Sequence, residues 1–199
     1  MTTLLKPFYV QTRLVASEIT IFTPLEFQRI FTVPPTRVKY FLERYTGEGL
    51  LVRLKKNLYA VKSRFPHQTE IANRLYAPSY LSLEYALSYY GVIPETVYTV
   101  TSITTMPTRE FVILGLSYTY QAIKRQAYTG YKLMNINGHQ ALFADKEKAL
   151  VDYLYFVSLG RSRLNDRLRL GNINPAAVKK YARLFGRKSL VKLARGILA

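Results

Sequence analysis

The sequence predicts an α+β chain in two parts. A unit of helices and a hairpin is expected over residues 1–64, followed by a mixed α/β region over residues 65–199 whose last segment, 160–199, is helical and basic. Three observations predict this arrangement. Apolar residues recur at helical spacing toward both ends, short β-leaning runs bounded by turn signals fill the middle, and the positive charge is concentrated at the two ends.

The elements follow in chain order. A first helix is expected over residues 4–16 despite Pro7, and a short strand over residues 18–22. Thr23-Pro24 opens a second helix, because threonine can accept a hydrogen bond from the free N–H groups of the first turn and proline fits at the first helical position. PLEFQRIF then offers Leu25, Phe27, Ile30 and Phe31 to a core. Val33-Pro34-Pro35 must end it, since proline disfavours helical geometry in the residue before it. A third helix over residues 36–49 turns Val38, Phe41, Leu42 and Tyr45 inward, with Gly47 or Gly49 as its end. LLVRL and LYAVK are two short strands joined by Lys55-Lys56-Asn57, a hairpin with a basic tip. Helix, strand, helix, helix, hairpin is the order of a winged helix-turn-helix.

From about His67 the pattern changes. Residues 68–76 and 82–90 read as helices, and VYTVTSI, REFVILG, SYTYQAI, YKLMNI and HQALFA as short strands, with Asn137-Gly138 as a hairpin turn. Asp145 is expected to cap a helix ending at Ser158, and further helical pieces are expected near residues 162–170, 175–185 and 188–198. The join between the two parts falls near residues 63–67.

The formal charge of +17 points to a polyanionic partner. Residues 1–64 carry 11 Lys/Arg against 4 Asp/Glu, residues 65–159 carry 7 against 7, and residues 160–199 carry 11 against 1. On the third helix the outward positions are Thr36, Arg37, Lys39, Tyr40, Glu43 and Arg44, a donor-rich face suited to base edges in a major groove. Lys55, Lys56 and Asn57 at the hairpin tip suit flanking phosphates. A second basic surface is expected from Arg161, Arg163, Arg167, Arg169, Lys179, Lys180, Arg183, Arg187 and Lys188, together with Lys192 and Arg195, open to DNA, RNA or an acidic protein.

Enzymatic signatures are missing. There is no GxSxG elbow, GxxxxGK[ST] loop or HExxH, and with no cysteine and two histidines no cofactor or metal site is expected. Asp145, Glu147 and Asp152 form the one dense acidic group; a metal-dependent nuclease could use such carboxylates, whereas Asp145 and Glu147 also suit a helix N-terminus. No run approaches a membrane span and MTTLLKPFYVQTR lacks a secretory pattern, so a cytoplasmic chain with no membrane partner is expected. Five tyrosines lie within residues 76–90 in the neutral middle, where no cluster of cations accompanies them. Packed rings with phenol groups at the edge of a core fit that setting better than base stacking does.

PSYLSLEYALSYYGVIPE, VYTVTSITT with TREF, and EKALVDYLYF resemble the middle and C-terminal region of AbiEi-type antitoxins, the antitoxin halves of type IV toxin-antitoxin operons. TPLEFQRIF and VKYFLERYTGEGLLVRLKKNLYAV resemble the winged-helix region of the same family, so the likeness runs over about residues 18–160. The resemblance implies a non-enzymatic repressor that binds double-stranded DNA at inverted repeats in its own promoter and counteracts a nucleotidyltransferase-like toxin. It puts DNA contacts on Thr36, Arg37, Lys39, Tyr40 and Arg44, with Lys55 and Lys56 on the wing. The chain departs from the family pattern at Lys146, where a proline is expected, and in the basic tail. A regulator with a ligand-sensing second domain and no toxin partner is the alternative.

Overall fold

The computed structural model describes residues 5–198, in a mixed α+β architecture that divides into two compact units meeting in sequence at Leu75 and Tyr76. In the first unit, helix α1 (Pro7–Ala16) buries Val10 and Leu14 one turn apart; residue 4, expected in this helix, lies outside the described residues. Strand β1 shortens to Ile21–Phe22. Helix α2 (Pro24–Phe31) starts on a reciprocal cap: Thr23 Oγ1 accepts from the Glu26 N–H (3.2 Å) while the Thr23 N–H donates to Glu26 Oε2 (2.7 Å). It ends at Thr32, which takes a left-handed conformation (φ 50°) ahead of the two prolines.

Helix α3 (Pro35–Gly47) buries the expected Val38, Phe41, Leu42 and Tyr45. The rings of Phe41 and Tyr45 join Phe27 and Phe22 in one aromatic core, with Phe27 5.3 Å from Phe41 and Phe41 4.3 Å from Tyr45 between centroids. Truncating a buried ring such as Phe27 costs about 3 to 5 kcal/mol. Leu25 was expected in this core but is 54 % exposed, because the 3.6-residue period of α2 is anchored by Phe27 and carries Leu25 to the outer flank.

Strands β2 (Leu51–Lys55) and β3 (Leu58–Val61) form the hairpin, and the antiparallel sheet runs β1-β3-β2. As the central strand, β3 is buried at all four positions. The register of β2 shifts between Arg53 and Lys55, and the bulge buries Leu54 beside Leu51 and turns Lys55 off the outer face. The tip is therefore Lys56-Asn57, Asn57 having the left-handed geometry (φ 60°) that asparagine tolerates in a tight turn.

Helix α4 (Gln68–Leu75) belongs to this first unit, not to the region starting at residue 65. Arg74 donates to both carboxylate oxygens of Glu26 (2.8 and 2.7 Å), and Lys55 Nζ donates to the Leu75 carbonyl at the helix end. These bonds and the buried Ile71, Ala72 and Leu75 move the boundary about ten residues beyond the expected join.

The second unit is built on a six-stranded mixed sheet. In chain order its elements are β4 (Ser79–Leu81), α5 (Leu83–Tyr89), β5 (Val100–Thr104), β6 (Arg109–Ile113), β7 (Leu116–Ala122), β8 (Tyr131–Ile136) and β9 (His139–Ala144). Helices α6 (Lys146–Ser158), α7 (Pro175–Leu184) and α8 (Lys188–Ile197) follow. The spatial order is β6-β7-β5-β4-β9-β8, with β4 parallel to β9 and β5 parallel to β7. Asn137 and Gly138, both at positive φ (52° and 87°), make the two-residue turn that pairs Ile136 with His139.

Helix α6 is enclosed, packing on α5, α7 and α8, and is buried continuously from Glu147 to Leu154. Residues 162–170 are not helical as expected: Asn165 accepts from the Arg167 N–H (2.8 Å) and bonds Glu95 (3.0 Å), which holds the segment in turns. Gly130 (φ +76°) lies where a Cβ would come within 2.7 Å of the Tyr181 ring and 2.9 Å of Lys148 Cγ.

Candidate nucleic-acid interface

On α3 the residues expected to face outward do so. Thr36, Arg37, Lys39, Tyr40, Glu43 and Arg44 are all exposed, because the helix commits the alternate stripe to the aromatic core. They are not equally free to act. Arg44 donates to Glu48 (2.8 Å) and to the Tyr40 hydroxyl (3.2 Å), and Lys39 approaches Glu43 at 4.0 Å. Exposed pairs at this spacing contribute only about 0.3 to 0.5 kcal/mol, so a polyanion can compete for these cations. Arg37 and Thr36 occupy the first turn, nearest the end a groove-reading helix inserts.

A groove of about 480 Å³ runs between α3 and the β2–β3 hairpin. It brings Lys39 and Glu43 together with Lys56 and Asn57 from the tip, and adds Gln28 of α2 and Arg53 of β2. Sequence reasoning missed the last two. Arg53 is exposed on β2 opposite Tyr59, beside the bulge; strand alternation puts it on the face of the buried Leu51 and so gives no signal for it. Lys55, grouped with the tip in the sequence, instead bonds the Leu75 carbonyl, because the bulge rotates it away from Lys56.

In the second unit Arg183, Arg187, Lys188, Lys192 and Arg195 line one concavity. Arg161, Arg163, Arg169, Lys179, Lys180, Arg183 and Lys188 are exposed. Arg167 pairs with Glu95, and Arg187 closes the end of α6 through the Ser158 hydroxyl (3.1 Å) and carbonyl (2.8 Å). The segment is part of the folded unit, since Val178, Ala182, Phe185, Leu190 and Ala194 are buried.

The three carboxylates do not converge on a metal site; among the described residues no group of three potential ligands does. Asp145 occupies the N-cap position of α6 without capping it, because its carboxylate faces Lys132 (3.4 Å) and accepts from the Tyr181 hydroxyl (3.3 Å). Glu147 accepts the Asn174 N–H (3.0 Å). Asp152 is fully buried, bonded by Lys148 and accepting from Ser82 (2.8 Å) and Tyr80 (3.0 Å). Burial pushes the Asp152 carboxyl up and the Lys148 ammonium down, while each charge opposes the shift of the other. Of the tyrosines at residues 76–90, Tyr80 is fully buried against Tyr131 (4.5 Å between centroids), and Tyr85, Tyr89 and Tyr90 pack on Phe143. Tyr90 donates to the Ala144 carbonyl (2.8 Å), and burial pushes its phenol up to about 12.

No helix among the described residues is long and apolar enough to cross a membrane. No family model matches the chain, and none of the curated proteins does.

Proposed function

We propose that the first unit is a winged helix-turn-helix and that the protein binds double-stranded DNA through it, with α3 in the major groove and the β2–β3 hairpin as the wing. The carrying observation is the groove that gathers Lys39, Arg53, Lys56 and Asn57 beside the exposed first turn of α3. The element order α1-β1-α2-α3-β2-β3 and the sheet order β1-β3-β2 support it. Arg37 and Lys39 read base edges in this scheme, while Lys56 and Arg53 meet flanking phosphates. The resemblance of residues 18–160 to AbiEi-type antitoxins extends the reading to a cytoplasmic autorepressor whose second unit counteracts a nucleotidyltransferase-like toxin.

The experiment is a footprint and a salt titration on the promoter of the chain's own gene. Arg37→Ala is expected to weaken the protected site by about 1 to 3 kcal/mol and flatten sequence preference. Lys56→Ala should weaken all DNA alike and lower the salt slope by about one unit. Wild-type affinity and preference in both variants would reject the assignment.

A further inference from the structure

The seam between α7 and α8 is apolar at one end and basic at the other. Its open end is a cavity of about 240 Å³ lined mainly by Pro175, Val178, Val191 and Leu198, together with Lys179 and Arg195. An apolar cavity of about 150 Å³ is large enough to hold benzene, so this one admits a large aliphatic or aromatic side chain. Toward the inter-helix turn a second concavity of about 430 Å³ is lined by Arg183, Arg187, Lys188, Lys192 and Arg195, and it shares Val191 and Arg195 with the first. Neither helix contains an acidic residue.

We propose that this seam docks an acidic, amphipathic segment of a partner protein, one apolar side chain seating in the open end and carboxylates following the cations toward the turn. Charge complementarity selects the occupant. A nucleic-acid backbone would satisfy the cations but has no aliphatic group for the pocket beside Pro175, Val191 and Leu198. A bilayer surface is flat where the seam is concave. An amphipathic helix supplies both features in one ligand, with anchors at helical spacing. The inference is independent of the DNA reading, which rests on the first unit.

The test is fluorescence anisotropy on the full chain. The probe is a labelled helical peptide of about 16 residues with Leu on one stripe and Glu elsewhere, and its partner has Gln in place of Leu. The leucine peptide is expected to bind with a micromolar Kd and the glutamine peptide at least about tenfold more weakly. Val191→Gln, at a half-buried lining position, should raise the Kd of the leucine peptide by about tenfold. Arg183→Glu with Lys192→Glu, both exposed and outside the core, should raise it at least as much with an unchanged melting curve. Equal binding of the two peptides would overturn the proposal, as would no binding at about 100 µM or indifference to both variants. It also fails if the charge reversal weakens a random duplex or phosphatidylglycerol vesicles as much as the peptide while Val191→Gln affects none of them, since the face would then bind phosphates.

Discussion

Replacing Asp152 with asparagine keeps the shape of the buried cluster in the second unit but removes the negative charge that faces Lys148. The amide oxygen can still accept from Tyr80 and Ser82, so the loss falls on the lysine, which is fully buried beneath the Phe185 ring (4.9 Å). Lys148 then keeps an unpaired charge or gives up its proton. Neutralising an ordinary lysine at pH 7 costs about 4 to 5 kcal/mol, close to the roughly 3 to 5 kcal/mol lost when one partner of a buried pair is removed. In the variant the unfolded chain binds one proton more than the folded chain, so its stability rises with pH at about 1.4 kcal/mol per unit. The expected loss is therefore about 4 kcal/mol at pH 7 and about 1 to 2 kcal/mol at pH 9. Urea titrations followed by near-ultraviolet circular dichroism measure it, because Tyr80 stacks on Tyr131 and contacts Tyr128 beside the cluster. Lys148→Met should behave in mirror image: it strands a carboxylate that must take up a proton to stay folded, so its penalty shrinks on acidification. A cost below about 1 kcal/mol for Asp152→Asn at pH 7, or an equal cost at pH 7 and 9, would refute the buried ion pair.

Two further outcomes concern carboxylates with opposite shifts. Burial raises the Glu84 carboxyl, so the folded state holds its proton more tightly than the unfolded chain does, and stability falls as pH climbs past the ordinary carboxylate value. Glu84→Gln should therefore raise the melting midpoint at pH 7 and give no gain below about pH 4; a lower midpoint at pH 7 would show that the carboxylate is compensated. At Glu26 burial pushes up, but the bonds from Arg74 and Thr23 outweigh it and hold the carboxyl below its usual range. Its contribution is present above the ordinary carboxylate value and is lost as pH falls through the lowered one. Glu26→Ala should cost about 1 kcal/mol at pH 7, mostly from the cap, with the gap to wild type closing in acid, as thermal melts at both pH values would show.

Helix α3 was legible because four apolar residues at helical spacing leave no choice about which side chains face out. Lys55 was not, since a bulge breaks strand alternation without a glycine or proline to announce it. Asp145 matched a capping residue by type, yet its carboxylate is drawn to Lys132 and Tyr181, partners that folding brings from outside α6. Asp152 stood in the sequence with Asp145 and Glu147 as an acidic group, and only the enclosure of α6 by three other helices buries it with Lys148, four residues before it. Strand β4, three residues long, is too short to show any period. The groove that adds Gln28 and Arg53 to the candidate interface is tertiary, and no local pattern encodes it.

Gly130 ties together three places far apart in the chain. A methyl group there would strike both the tyrosine on α7 and the stem of the buried lysine on α6, and the φ of +76° already disfavours any other residue. The loop before β8 can therefore change only in step with positions 148 and 181. A C-terminal segment that kept tyrosine at position 181 would still need bare backbone at position 130. Through Tyr181 the basic tail is thereby coupled to a loop with which it shares no sequence neighbourhood.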